Sequence, residues 1–156
     1  RCCGTAWFRA LGAFHTCQMA AQQMVRQANQ GQSGGRIILI SSVHEELAVR
    51  NSAAYNMAKA AVTQLGRTLA VELAQYQITV NVVHPGLTET PGTRSFTSDE
   101  RLEIAASRIP LGRLGKAEDI GKAVAFLASA DADYITGIDS RVDGGFKWGL
   151  RFPLDD

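Results

Sequence analysis

An α/β fold, a parallel sheet covered by helices, is predicted by three features of this 156-residue sequence. Stretches with helical apolar spacing alternate with short unbroken apolar runs. Each run stops abruptly, at Ser41-Ser42, at Pro85-Gly86 or at Gly144-Gly145. The resulting order is helix, strand, helix, strand, helix, helix, strand, which is the alternation that buries parallel strands under crossover helices.

Leu11 to Asn29 reads as the first helix, because Phe14, Cys17, Ala21, Met24, Val25 and Ala28 recur at three- and four-residue spacing. Gly31 to Gly35 breaks it. Ile37-Ile38-Leu39-Ile40 is a β-branched run suited to a strand buried on both faces. A polar loop follows, and Ser52 is a candidate cap for a helix over Ala53 to Tyr76, striped by Val62, Leu65, Leu69 and Leu73. Ile78 to Val83 is the second strand. Thr88 to Ser98 reads as a loop punctuated by Pro91-Gly92, and Ser98 or Asp99 caps a short helix to about Arg108. Pro110 to Gly115 is a turn. Lys116 to Ala130 is helical, with Ile120, Val124, Phe126 and Leu127 as its apolar face, and Ile138 to Val142 is the third strand. Three strands are few for a doubly wound sheet, so the sequence reads as a sheet whose N-terminal strands are missing.

Composition narrows the function classes. Apolar residues make up 46% and charged residues 20%, as in an ordinary globular domain, and the net charge is +1. That balance gives no electrostatic pull toward nucleic acid or anionic lipid, and no apolar run approaches a membrane span. No signal-peptide pattern is visible. The three cysteines, Cys2, Cys3 and Cys17, are too few and badly placed for a disulfide framework, and no Cys or His pair has zinc-ligand spacing. A cytoplasmic setting is expected.

One constellation carries chemistry. Tyr55 and Lys59 are four residues apart on a predicted helix, hence one turn apart on one face. Ser42 ends the preceding strand, and ligands of open α/β sheets bind at carboxyl ends of strands. A phenol titrates near 10, and a neighbouring ammonium stabilises its phenolate, bringing proton exchange with a carbonyl or alcohol oxygen nearer neutrality. A serine hydroxyl can donate to the same oxygen as charge develops there. A hydride acceptor or donor has to come from a cofactor. By spacing alone the pair is a weak signal, and an exposed helix face is the plainer reading.

The wording around these residues adds weight. Gly35-Arg36-Ile37-Ile38-Leu39-Ile40-Ser41-Ser42-Val43 resembles the catalytic-serine strand of short-chain dehydrogenases/reductases. Ala54-Tyr55-Asn56-Met57-Ala58-Lys59-Ala60 is similar to their Tyr-x-x-x-Lys segment, and Ile78 to Gly86 to the segment before their Pro-Gly loop. Thr90, Tyr134-Ile135-Thr136-Gly137 and Val142-Asp143-Gly144-Gly145 also fall at family spacing, so the likeness runs from about Gly12 to Phe146. The wording is nearest the glucose 1-dehydrogenase-like members and is shared with β-ketoacyl-carrier reductases.

The resemblance implies a partial Rossmann-like sheet in one truncated domain over residues 1–156, with NAD or NADP as cofactor and a small alcohol or carbonyl compound as substrate. It implies Tyr55 as general acid/base, Lys59 as its electrostatic partner and ribose ligand, and Ser42 as the group polarising the substrate. Pro85, Gly86, Leu87 and Thr90 would meet the nicotinamide side of the cofactor. His44 is a candidate substrate contact, although a solvated loop is the plainer reading for it and Glu45. Asn81, Thr136, Asp143, Gly144 and Gly145 would be structural, and Thr93 to about Ile109 a substrate lid. Homo-oligomers would form through helices 11–29 and 53–76.

Three departures qualify this. No glycine-rich turn opening a helix precedes the serine strand, since Gly31, Gly34 and Gly35 lead into a strand instead. Residues 1–10 fit the family poorly, and Arg9 stands where many relatives have an Asn that holds a relay water behind the lysine. The strand at Ile37 is left as an apolar edge that invites pairing with another chain. The expectation is an oxidoreductase with little or no activity over these 156 residues alone, the alternative being a non-catalytic oligomerisation module.

Overall fold

The computed structural model describes residues 3–32 and 34–149. Three parallel strands form its sheet: β1 (Gly35–Ile40), β2 (Ile78–Pro85) and β3 (Asp139–Val142), in the order β1-β2-β3. Ile37 pairs with Val80, and Val83 with Ser140. β2 is thus central, and from Ile78 through His84 every residue is buried. Among the described residues nothing pairs with the outer edge of β1, where Ile40 is 44% exposed. The expectation that this strand is buried on both faces is therefore corrected: Ile37 and Leu39 are covered, whereas Ile38 is partly covered and Ile40 opens outward.

Two long helices, α1 (Cys3–Asn29) and α2 (Ala53–Leu73), cover one face of the sheet. Cys17 and Ala21 of α1 and Val62, Ala70 and Leu73 of α2 close over Ile37, Leu39, Ile78, Val80 and Val82. α1 begins at Cys3 rather than Leu11. Phe8 and Leu11 are exposed there, so no buried stripe marks that turn, yet no proline interrupts it. The Cys2–Cys3 pair lies outside the described side chains, and Cys17 is a free, buried thiol. After α2 a single 3-10 turn, Ala74–Tyr76, ends in Gln77 at φ 58°.

What brings α2 so near the sheet is the absence of a side chain at Gly66. A Cβ built there would lie 2.4 Å from Val82 Cγ2. Small residues between larger ones let the helix axis drop toward the strands, a contact that the leucine stripe alone did not reveal.

Between β2 and β3 come α3 (Pro91–Phe96), α4 (Asp99–Ser107) and α5 (Ala117–Ala128). α3 corrects the expected loop: Pro91 sits in its first turn, where the missing N–H costs nothing, and Thr90 caps it by accepting from the Thr93 N–H. α5 covers the other face of the sheet through Ile120, Val124 and Leu127, against Ile38, Val83 and Val142. Phe126 is 49% exposed, correcting its assignment to that stripe. Ser52 precedes α2 without a capping bond from its side chain, which turns back to the Arg50 carbonyl instead.

Candidate active site

The carboxyl ends of β1 and β2 open into a cleft of about 840 Å³. Ser42, His44, Tyr55, Lys59, Pro85, Gly86, Leu87 and Thr90 all line it. These residues, drawn from two strand ends, one helix and one loop, are therefore brought together at one place. The floor and walls add Ile40, Val43, Leu102 and Phe146, and among the described residues no carboxylate lines it. Thr93 of α3, Thr97 of the link, and Arg101 and Ala105 of α4 reach it, so the segment expected to form a lid does border the cleft.

Local structure explains the placement. Ser42 leaves β1 in extended conformation (φ −170°) and caps a 3-10 turn, Val43–Glu45, its Oγ accepting from the His44 N–H at 3.2 Å. Its neighbour Ser41, which also borders the cleft, bonds to α2. Ser41 Oγ donates to the Lys59 carbonyl at 2.9 Å, and Thr63 Oγ1 lies 3.0 Å from Ser41 Oγ. Strand end and helix are thus laced together at the turn that carries Tyr55 and Lys59. Lys59 Nζ donates to the Ile40 carbonyl at 3.0 Å and lies 5.7 Å from the centre of the Tyr55 ring.

His44 stands edge-on to Tyr55, ring centres 5.3 Å apart. Its Nδ1 lies 3.2 Å from the Asn56 side-chain oxygen, and Asn56 Nδ2 donates to the Leu47 carbonyl. His44 is accordingly a wall of the cleft and not a solvated loop residue. Edge-to-face packing of this kind restrains a ring at modest energetic gain.

Burial pushes the Lys59 ammonium below its ordinary value, and the Arg9 guanidinium pushes the same way. Arg9 also lies over the Tyr55 ring, at 5.9 Å from its centre. The sequence marked Arg9 as a departure; the fold makes it the second cation beside Tyr55. No signal in the sequence predicted that, because α1 and α2 meet only through tertiary packing.

The Pro85-Gly86 turn passes close to the end of β3. A Cβ on Gly86 would stand 2.6 Å from Asp143 Cβ and 2.7 Å from its Cα, so the turn tolerates no side chain there. Asp143 accepts from the Gly145 and Lys147 N–H groups, Asn81 bonds Ile135 O and the Ile138 N–H, and Thr136 Oγ1 accepts from the Val80 N–H. A second cavity of about 600 Å³, bordered by Arg113, Asp119 and Arg141, lies between α5 and β3 and includes neither Tyr55 nor Lys59. Among the described residues there is no cluster suited to a metal ion and no helix long and apolar enough to cross a membrane.

Comparison with known proteins bears on the whole frame. A family model described as enoyl-(acyl carrier protein) reductase matches residues 7–147. The uncharacterized oxidoreductase YohF of Escherichia coli is 44% identical over 86% of this chain and 51% of its own. The 3-oxoacyl-[acyl-carrier-protein] reductase FabG of Salmonella typhimurium is 49% identical over 71% of this chain and 45% of its own. Among solved structures, 7 alpha-hydroxysteroid dehydrogenase complexed with NADH and 7-oxo glycochenodeoxycholic acid superposes with a TM-score of 0.79 at 32% identity, covering 86% of this chain and 51% of that one. The chain spans about half the length of the curated relatives it matches, and its three strands are part of a Rossmann-like sheet. The chain belongs to the short-chain dehydrogenase/reductase family of oxidoreductases.

Proposed function

We propose that these residues form the substrate half of a site that interconverts a carbonyl and an alcohol using NAD or NADP. The observation that carries this is the single cleft shared by Ser42, Tyr55 and Lys59 at the carboxyl ends of β1 and β2. In the reductive direction Tyr55 donates its phenolic proton to the substrate oxygen as negative charge grows on it. Lys59, within 5.7 Å of the ring, stabilises the phenolate left behind. The Ser42 hydroxyl donates to the same oxygen. In the oxidative direction each proton moves the opposite way.

The residues present fit the nicotinamide end of such a cofactor. Pro85, Gly86 and Leu87 offer a backbone wall beside Tyr55 and Lys59, Thr88 and Thr90 add hydroxyls, and among the described residues no carboxylate lines the space. The cofactor, when bound, supplies or takes the hydride. Among the described residues no glycine-rich turn opens a helix to receive its pyrophosphate, so the chain alone should turn over little or no substrate.

A chimera tests this: the chain fused behind the preceding half of the Salmonella typhimurium FabG protein, assayed with NADH and NADPH against 3-oxoacyl thioesters, acetoin and a 7-oxo steroid. Turnover that falls by about 10²–10⁴-fold in Tyr55→Phe, the usual contribution of a positioned acid/base, supports the reading. A folded chimera with no turnover on any carbonyl would sink it.

A second reading, an oligomerisation module, is favoured by the apolar surface on the two long helices: Phe8, Leu11, Phe14 and Met19 on α1, Met57 and Val71 on α2, each more than two-fifths exposed. Sedimentation equilibrium decides it. A dimer or tetramer that Phe14→Glu with Met19→Glu dissociates supports self-association through these helices; a monomer at all concentrations rejects it.

A further inference from the structure

The two sides of α4 carry opposite charge. Thr97, just before the helix, then Arg101 and Ala105 follow one another at four-residue spacing, and all three line the cleft. Asp99 and Glu103, also four apart, border a separate groove with Glu89 and Arg94. Residues four apart share a helical stripe, so the helix turns its arginine toward the cleft and these two acids toward the groove. Glu100, next to Arg101 in sequence, lies on neither stripe and is exposed.

Among the described residues Arg101 has no ion pair and no side-chain hydrogen bond. Its own helix offers none, because the positions three and four away are Thr97, Ser98, Ile104 and Ala105. The acids on the groove side are engaged elsewhere: Arg94 pairs with Glu89 and, at 2.8 Å, with Asp99. Within the cleft the basic side chains besides His44 are Lys59 and Arg101, and among the described residues no carboxylate answers them. Lys59 is committed, since its Nζ donates to the Ile40 carbonyl and stands beside the Tyr55 ring. Arg101 is the cation left over. It shares the cleft with the apolar side chains of Leu87, Leu102, Ala105 and Phe146. A guanidinium matches a carboxylate or phosphate through paired N–H donors, and a cleft lined by one sign of charge concentrates the other.

We propose that Arg101 is a specificity-determining residue and that the substrate is an anionic carbonyl compound. Its carbonyl meets Ser42 and Tyr55, an apolar stretch lies along Leu102, Ala105 and Phe146, and a carboxylate or phosphate at its far end pairs with Arg101. The proposal rests on the reading of the Ser42, Tyr55 and Lys59 cleft as the reacting site, and it narrows the substrates of that site to one charge class. Neutral ketones would enter the same cleft but leave Arg101 without a partner.

Two measurements test it with the same probes: levulinate against methyl levulinate, and longer methyl-ketone acids each against its methyl ester. The first is NMR of the full 156-residue chain, which needs neither cofactor nor turnover. The acids are expected to shift the Arg101 Nε–H signal together with the Ser42 and Tyr55 amides, the esters to leave the Arg101 signal in place, and added salt to weaken the response. An Arg101 signal that answers acid and ester alike, or neither, overturns the proposal. The second is kinetics of the chimera. For the best-fitting chain length, kcat/KM is expected to favour the acid over its ester by about 10-fold or more, the usual worth of a charged hydrogen-bonded pair. In Arg101→Gln that ratio should fall toward one, and Arg101→Lys should restore part of it. Arg108→Gln, which removes a cation from the same segment outside the cleft, should leave the ratio as it was. A wild-type ratio near one overturns the proposal. So does an Arg101→Gln variant that loses acid and ester equally, or one that raises only the KM for NADH or NADPH, since the arginine would then serve the fold or a cofactor phosphate. A chimera with no turnover sinks the oxidoreductase reading, and the NMR of the chain still decides whether Arg101 selects an anion.

Discussion

β2 and β1 are parallel neighbours of similar composition, yet they live in different surroundings. β2 has a strand on each side and helices on both faces, and every residue from Ile78 to His84 is buried. β1 has one neighbour, one well-covered face and an outward Ile40. Apolar sequence alone therefore does not set burial. Position in the sheet does, and the stability of this chain should be concentrated in β2 and in what touches it. The cleft hangs from both strand ends, so one side of the site is anchored in the core and the other in an edge.

That contrast can be broken by experiment. The largest effect is expected for Ile78→Ala on β2, 1% exposed, which should cost about 2–5 kcal/mol in chemical denaturation. A cost below about 1 kcal/mol would mean that β2 is not the core strand. Next comes Gly66→Ala, whose methyl meets Val82 at 2.4 Å. Overpacking of this kind costs about 1–3 kcal/mol, and the shift of α2 should also perturb the Tyr55 and Lys59 resonances. Unchanged stability and spectra would show that the helix can simply rise off the sheet.

A smaller effect belongs to the β1 side. The Lys59 ammonium titrates below its ordinary 10.5 through burial and Arg9. Between the folded value and 10.5 the unfolded chain holds more protons, so stability should rise with pH across that window and level off above it. Arg9→Ala should bring the Lys59 titration, followed by side-chain NMR, closer to 10.5 and flatten the rise. An identical titration in the variant would remove Arg9 from the site. The smallest effect is expected for Ile40→Ala, at or below about 0.5 kcal/mol, because 44% of that side chain already faces solvent. A cost as large as that of Ile78→Ala would mean that something covers the β1 edge in solution.

The sequence revealed what repeats along the chain and concealed what meets across it. Three- and four-residue apolar spacing located α2 and α5, and β-branched runs located β1 and β2, because those patterns are local. Pro91-Gly92 reads as a break in the sequence, yet proline in the first turn, after a capping Thr90, opens α3. Phe126 fits the apolar spacing of α5, yet the helix turns it to solvent. The eight candidate site residues could be named since they recur in family wording, and the fold gathers them around one cleft. His84 lies inside a family-like segment that gives it no role, and Arg9 stands out only as a departure. His84 finds Asp139 fifty-five positions away, and Arg9 reaches Tyr55 from a different helix. Such partners exist only once the chain is folded.

Gly66 divides the labour of this molecule in a way that bears on its evolution. Because one missing methyl sets the depth of α2, it also sets the spacing between the Tyr55 turn and the end of β1. The roof of the cleft, by contrast, comes from α3 and α4, which make no such intimate contact with the sheet. Substitutions in α3 and α4 can therefore reshape the cleft without moving α2, whereas loss of Gly66 would shift the helix that carries Tyr55 and Lys59.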